Sequence, residues 1–253
     1  MKHGSCGTAP NFDSSTSPRN NMQRSEFDRF ADEYHQLLSK SIGFSGEDPS
    51  FFYEHKVQTA SEIARQKGLN VERILDFGAG VGNSLPFFSK YFPNAQLICA
   101  DVSRRSLDVS IARFPDLAKH VEIIGDTVPI DSGDVDLVFS ACVFHHIPHV
   151  EHAKWLEELR RVSRPGALLT IFEHNPWNPI TLKVVRDCPF DDNAELIPAN
   201  VFRQRLAQSG WKYPQIKFLI FFPHFLASFR LIERYLEGVP LGAQYAAVAR
   251  RPS

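Results

Sequence analysis

The stretch Ile74-Leu75-Asp76-Phe77-Gly78-Ala79-Gly80-Val81-Gly82-Asn83 decides how this chain folds. A short apolar strand, Arg73 to Phe77, runs into a glycine loop, and the helix-forming stretch Ser84 to Tyr91 follows. In that context glycines let a ligand approach the backbone and admit positive φ angles. G-x-G-x-G alone says no more than that. Two details narrow it. A dinucleotide fingerprint has Gly or Ala at the sixth position of the loop, where this chain has Asn83. Asp76 stands at the strand end just ahead of the glycines, where a carboxylate repels a pyrophosphate and attracts an ammonium group.

Outward from the loop, apolar strands alternate with helical stretches. The pattern predicts strands at Gln96 to Ala100, Val121 to Ile124, Val135 to Ala141 and Ala167 to Phe172. It predicts helices at Ser103 to Phe114, with Ser103 as N-cap, and at about Val150 to Val162. Arg164-Pro165-Gly166 reads as a turn. Near-continuous apolar strands between helices imply a mostly parallel sheet covered on both faces, an α/β Rossmann-like three-layer sandwich. A helix near Val201 to Ser209, a strand at Ile216 to Phe222, a helical stretch at Phe225 to Leu236 and a strand at Gln244 to Arg250 complete the pattern.

Ligands of open α/β sheets bind beyond the carboxyl ends of the strands. Asp101 ends the second strand, 19 residues after Gly82, where a carboxylate can accept from both hydroxyls of a ribose. Asp126, followed by Thr127, ends the third and can accept from an adenine amino group. Ser140, near the end of the fourth, leads into a loop bordering the far end of the ligand. A ligand with an amino-acid tail and a sulfonium, S-adenosyl-L-methionine, fits this set better than NAD.

The pieces LDFGAGVG, CADVS, IIGDTVP, VDLVFSACVFHHIP and RVSRPGALLTIFEHN resemble the class I S-adenosylmethionine-dependent methyltransferases over roughly Val71 to Asn175. The resemblance implies a seven-stranded sheet with an antiparallel last strand. It implies a cofactor site made by Asp76, Phe77, Gly78, Ala79, Gly80, Gly82 and Asn83 around the amino-acid part, Asp101 and Val102 at the ribose, Asp126 and Thr127 at the adenine, and Ser140. Ala79 departs from the cysteine often found in this loop. An NAD-linked Rossmann oxidoreductase and a non-catalytic cofactor-binding protein are the alternatives; Asn83 and Asp76 argue against the first.

Methyl transfer requires alignment of an acceptor and sometimes removal of its proton. Candidate bases are His145 and His146, in the loop after the fourth strand, and Glu173, with His174, at the end of the fifth. A histidine in such a loop also packs on a cofactor or caps the next helix. No metal site is expected: Pro148 interrupts the spacing of His145, His149 and His152, and solvated or capping roles account for them better. Asn175-Pro176-Trp177-Asn178-Pro179 reads as a turn-rich loop, not as the Asn/Asp-Pro-Pro-aromatic motif of base-methylating enzymes, which follows the fourth strand.

The organisation expected is a disordered tail over 1–22, N-terminal capping helices over 23–70, and a methyltransferase domain over 71–253. The capping helices start from the periodic run Phe27, Phe30, Ala31, Tyr34, Leu37, Leu38, and the second spans about Phe52 to Gln66. Within the domain, an irregular substrate-side loop is expected over 174–199 and an aromatic helical insertion over 223–239. The chain has 21 Phe, and Phe225, Phe229, Ile232 and Leu236 share one face of that helix. The favoured role for this stripe is to cover the sheet; a wall for an apolar acceptor, or peripheral membrane contact, is the sharper alternative.

The 253 residues suit one α/β domain with a modest elaboration, and 43% hydrophobic with 23% charged residues is ordinary globular composition. A formal net charge of -1 gives no basic surplus for a phosphate backbone, so the expected acceptor is a small molecule or a lipid- or glycan-linked group, and no nucleic acid is expected. Cys6, Cys99, Cys142 and Cys188 form no CxxC pair, and Cys99 and Cys142 sit in apolar runs as buried free thiols. With no signal-peptide pattern and no run of 18 apolar residues, a cytoplasmic protein is expected.

Overall fold

The computed structural model describes residues 46–188, 191 and 193–253. The first expected helix, the 1–22 tail and Cys6 lie outside those residues. Helix α1 (Pro49–Gln66) starts on Asp48, whose side chain accepts from Ser50 N–H at 2.8 Å, with Pro49 in the first turn. Seven strands follow in the order β3-β2-β1-β4-β5-β7-β6 across one sheet. They are β1 (Arg73–Phe77), β2 (Gln96–Asp101), β3 (Lys119–Glu122), β4 (Val135–Ala141), β5 (Ser163–His174), β6 (Lys212–Leu219) and β7 (Gln244–Arg250). The first five are mutually parallel, and β7 lies antiparallel between β5 and β6. The helices between them are α2 (Leu85–Tyr91), α3 (Arg104–Arg113), α4 (His152–Val162), α5 (Pro179–Arg186) and α6 (Ala199–Gln208).

Strand periodicity divides the core into two. Leu75, Phe77, Val138, Leu169 and Ile171 pack on one face with Trp155, Leu156 and Phe202 of α4 and α6. Ile74, Cys99, Leu137, Phe139, Leu168 and Phe172 pack on the other with Val57, Ala60 and Phe88 of α1 and α2. Asp76 shares the parity of Ile74, and so belongs to the α1 side of the sheet. Glu173 shares that of Ile171, on the α4 and α6 side.

Strands β1, β4 and β7 lie where the apolar pattern placed them, and Ser103 caps α3 by accepting from Ser106 N–H at 3.0 Å. Elsewhere the structure corrects the pattern. Strand β3 starts two residues earlier and ends at Glu122, because the exposed Lys119 pairs with Ile98 through its backbone alone. Arg164-Pro165-Gly166 is a bulge within β5: the register against β4 shifts between Val135/Ser163 and Leu137/Leu168, with Gly166 at φ +79°. The 174–199 segment is not wholly irregular, since α5 forms on Asn178, which accepts from Ile180 N–H and Thr181 N–H at 3.0 Å each. Before it, buried Asn175 donates to the carbonyls of Pro240 at 3.1 Å and Gly242 at 2.8 Å, tying this segment to the approach to β7.

The aromatic stripe does not cover the sheet. His224 to Tyr235 forms 3₁₀ turns interrupted at Leu226, and none of its residues is buried; Phe225 is 74% exposed and Leu231 82%. This segment leans instead on the start of α1, where Arg230 pairs with Glu47 and lies 4.4 Å from the Phe51 ring centroid. Among the described residues no helix is long and apolar enough to cross a membrane.

Candidate cofactor and acceptor site

The glycine loop is shaped by three positive-φ glycines with different surroundings. Gly78 (φ +78°) lies against Val143, 2.3 Å from where a Cβ would sit, and Gly82 (φ +77°) lies 2.2 Å on the same measure from Ser110 Oγ of α3. Those two are close-packing glycines. Gly80 (φ +53°) meets nothing within 4 Å, so the loop has an open side there. Asp101 holds the loop: Gly80 N–H and Ser103 N–H each donate to its carboxylate at 2.8 Å. Asp101 is thus the turn former that strand-end aspartates often are.

Asp76 is buried, 4% exposed, and no hydrogen-bond donor among the described residues is recorded for it. Burial, and then the charge of Asp101, push its carboxyl up to about 8. Ser140 Oγ, at the end of β4, is likewise buried without a partner among the described residues. A buried unpartnered carboxyl beside an open glycine is what a ligand ammonium would satisfy. The residues present therefore fit the amino-acid end of S-adenosylmethionine.

The other cofactor candidates divide. Phe77 points into the core, its ring 5.4 Å from that of Trp155, so only its backbone borders the loop. Ala79 N–H and Gly78 N–H both donate to Ala100 O, at 3.2 and 2.8 Å, and the Val102 side chain packs on the core. Asn83 is tied to protein on both sides: it donates to Tyr53 Oη of α1 at 3.2 Å and accepts from Arg113 of α3 at 2.8 Å. Asp126 does not end β3; it sits four residues later in a turn closed by the Ile124–Thr127 bridge, half-exposed and paired with Lys154.

Beyond β4 and β5 lies a dense ionisable cluster. Glu173 Oε1 accepts from Val143 N–H at 3.1 Å and Phe144 N–H at 2.8 Å, fixing it under the His145–His146 turn. Its Oε2 lies 2.5 Å from His145 Nδ1, with both side chains 1% exposed. His145 Nε2 and His146 Nε2 lie 3.3 and 3.5 Å from the same oxygen, Asp191 Oδ1. Burial disfavours the His145 cation, but Glu173 and Asp191 outweigh it and raise the imidazole well above its ordinary value. Burial would raise Glu173 and Asp191; His145 reverses this and holds both low, Asp191 at about 2. Burial, then the charge of His145, pushes His146 down to about 3.

A second group abuts it from the α1 side. Lys56 Nζ lies 3.5 Å from Cys142 Sγ. Burial pushes the Cys142 thiol up, but Lys56 and His174 outweigh it and bring it down to about 7. Cys142 is therefore a polarised thiol rather than inert filler, while Cys99 stays a buried thiol raised by burial. The other two histidines of the disfavoured metal triplet have partners elsewhere. His152 donates from Nε2 to the carbonyls of Phe144 at 3.0 Å and Ile147 at 2.9 Å, and His149 faces Glu195.

The structure thus brings Asp76, Gly80, Asp101 and Ser140 to one strand-end region, and His145, His146 and Glu173 to its neighbour. Lys56, Cys142 and Asp191 were missing from the sequence-based candidates. Asp191 lies within the substrate-side segment expected over 174–199, which did not single it out.

Comparison with known proteins agrees with this fold. Residues 74–166 match the family model described as a methyltransferase domain. A trans-aconitate 2-methyltransferase of Methylobacterium radiotolerans is 29% identical over 121 residues, 47% of this chain and 45% of the relative. One of Azoarcus sp. is 25% identical over 163 residues, 64% of this chain and 62% of the relative. The chain therefore spans about half the length of the curated relatives it matches. The crystal structure of a SAM-dependent methyltransferase from Thermotoga maritima superposes with a TM-score of 0.63 at 15% identity, covering 90% of this chain and 99% of that one. Phosphoethanolamine N-methyltransferase 2 of Haemonchus contortus, solved with S-adenosyl-L-methionine, gives 0.62 at 15% identity, covering 91% and 60%. Residues 74–166 thus carry a methyltransferase domain, set on a Rossmann-like sheet.

Proposed function

We propose that this protein transfers a methyl group from S-adenosyl-L-methionine to a small-molecule acceptor carrying an acidic oxygen. The observation that carries the donor half is Asp76, a buried carboxyl at the end of β1, just ahead of the glycine loop, that burial drives toward the neutral acid. When bound, the cofactor supplies an electrophilic methyl: the acceptor's electron pair forms the new bond as the carbon–sulfur bond breaks, leaving a neutral thioether. Asp76 would hold the ammonium, Asp101 the ribose hydroxyls, and Ser140 the inner wall. His145, His146 and Glu173 would border the acceptor, with His146 the neutral imidazole of the pair. The names of the relatives, trans-aconitate 2-methyltransferases, support an acceptor that is small and acidic.

Titration calorimetry with S-adenosylhomocysteine and with NADH tests the donor. Tight homocysteine-form binding and none for NADH is expected; the reverse would mean an oxidoreductase. Incubation with isotope-labelled methyl donor and a panel of small carboxylic acids, phenols and enols, trans-aconitate included, tests the acceptor. A labelled product is expected in one of these classes. Binding without turnover on any of them, while a lipid or glycan extract is labelled, would overturn the small-molecule half.

A further inference from the structure

We propose that His145, His146 and Asp191 bind one divalent transition-metal ion, zinc by the chemistry of the ligands, at the acceptor side of the site. Nε2 of both histidines converges on Asp191 Oδ1, at 3.3 and 3.5 Å, and all three ligand atoms lie within 4.8 Å of one another. Two imidazoles and one carboxylate bonded to zinc at about 2.0–2.2 Å stand at comparable mutual separations. Imidazole with carboxylate suits zinc and its first-row neighbours, not calcium or magnesium.

The surroundings are those of a built site. A metal-bound histidine characteristically gives its other ring N–H to a carboxylate, which fixes the tautomer and aims the ligand nitrogen. His145 has that arrangement: Nδ1 faces Glu173 Oε2 at 2.5 Å, leaving Nε2 aimed at the shared point. Glu173 is itself fixed by the Val143 and Phe144 amides. The Asp191 segment is docked onto the histidine turn, since Glu195 N–H donates to His145 O at 2.8 Å. The ligands range from His145, 1% exposed, to His146 and Asp191 at 16% and 11%, so the site closes on the protein side and opens on the other. Three protein ligands with an open position are the pattern of a catalytic rather than a structural zinc. The open position would take the acceptor's oxygen and lower its pKa. That role rests on the methyl-transfer function; ion binding does not.

The experiment is calorimetric titration of the chelator-treated full chain with Zn²⁺, with Co²⁺ as an optical probe of the ligand set. One equivalent is expected in the wild type, with a Co²⁺ spectrum of nitrogen and oxygen ligation. His146→Ala and Asp191→Ala should each weaken Zn²⁺ at least about a hundredfold, and Glu173→Gln by about 10–100-fold. His149→Ala, outside the ligand set, should bind like wild type. S-adenosylhomocysteine titration on the same samples reports that each variant is folded. Wild-type affinity weaker than about 1 mM, or equal Zn²⁺ affinity in wild type and the folded His146→Ala and Asp191→Ala variants, would overturn the site. Zn²⁺ bound at these residues in a protein that transfers no methyl would sustain the site and remove the methyl-transfer function instead.

Discussion

The carboxylate of Asp101 raises the neighbouring carboxyl of Asp76 while itself held by the amides of Gly80 and Ser103. Burial, and then the charge of Asp101, drive Asp76 toward the neutral acid, up to about 8. Asp76 must ionise to pair with an ammonium, so cofactor binding should release a proton below that pH. The expected outcome is an S-adenosylhomocysteine affinity that rises by up to about tenfold per pH unit between pH 6 and 8 and then levels. Calorimetry in buffers of different ionisation enthalpy would count the proton. In Asp76→Asn the slope should vanish along with most of the affinity.

The same shift sets a sign for stability of the ligand-free protein. The Asp76 pKa is raised on folding, so its contribution is fully favourable below the ordinary carboxylate pKa of 3.8 and is lost as pH rises toward about 8. Ligand-free protein should therefore melt lower at pH 8.5 than at pH 6.5, by a margin that Asp76→Asn removes. Calorimetric melts of both proteins at the two pH values check this.

Gly80 and Gly82 allow packing to be separated from ligand contact. Alanine at either pays for the left-handed backbone, about 1–2 kcal/mol. At Gly82 the new Cβ also meets Ser110 Oγ at 2.2 Å, and that hydroxyl is committed to His120 at 2.9 Å, so α3 must shift. Gly82→Ala should lower the melting temperature clearly more than Gly80→Ala. Gly80→Ala should instead show most of its loss in cofactor affinity, its methyl entering the open side of the loop. Equal losses of both kinds in the two variants would mean that Gly80 borders no ligand.

Glu173 accepts from two backbone amides and faces His145, all out of water. Glu173→Ala would leave the His145 Nδ1–H and two amides, all buried, without an acceptor, at a cost of about 3–5 kcal/mol. At about 2–4 °C per kcal/mol for a domain of this size, differential scanning should show a drop of roughly 6–20 °C. Glu173→Gln retains an acceptor for the amides and should fall much less. A small drop in the alanine variant would mean that the loop after β4 is held by other contacts.

How far the sequence announced these features follows from where their determinants lie. The sheet was legible because each buried parallel strand is a continuous apolar run, and β1, β4 and β7 were readable to the residue. Strand β3 was displaced because it is an edge strand whose first residues, Lys119 and His120, pair by backbone and carry no apolar signal. The aromatic segment was misjudged because helical spacing reports which residues share a face, not whether anything covers it. Asp76 and Asp101 were legible because the glycine loop fixes the strand ends they occupy. Asp191, Lys56 and Cys142 were not, since their contacts close over 46 and 86 residues of chain and exist only in the folded state.

Cys142 offers the last prediction. It has φ +59°, a backbone conformation L residues rarely adopt, at the point where β4 turns into the His145–His146 loop. That turn places its sulfur between Lys56 of α1 and His174 of β5, and the two lower the thiol to about 7 against the effect of burial. The ultraviolet difference spectrum of wild type minus Cys142→Ser should titrate with a midpoint near 7. Cys99 will not interfere, because burial and the charges of Asp76 and Asp101 push it well above the usual thiol value. Lys56→Met removes the cation 3.5 Å from the sulfur and should move the midpoint upward, as should His174→Gln. A midpoint unmoved by both substitutions would mean that the backbone around the turn, not these two side chains, holds the thiolate.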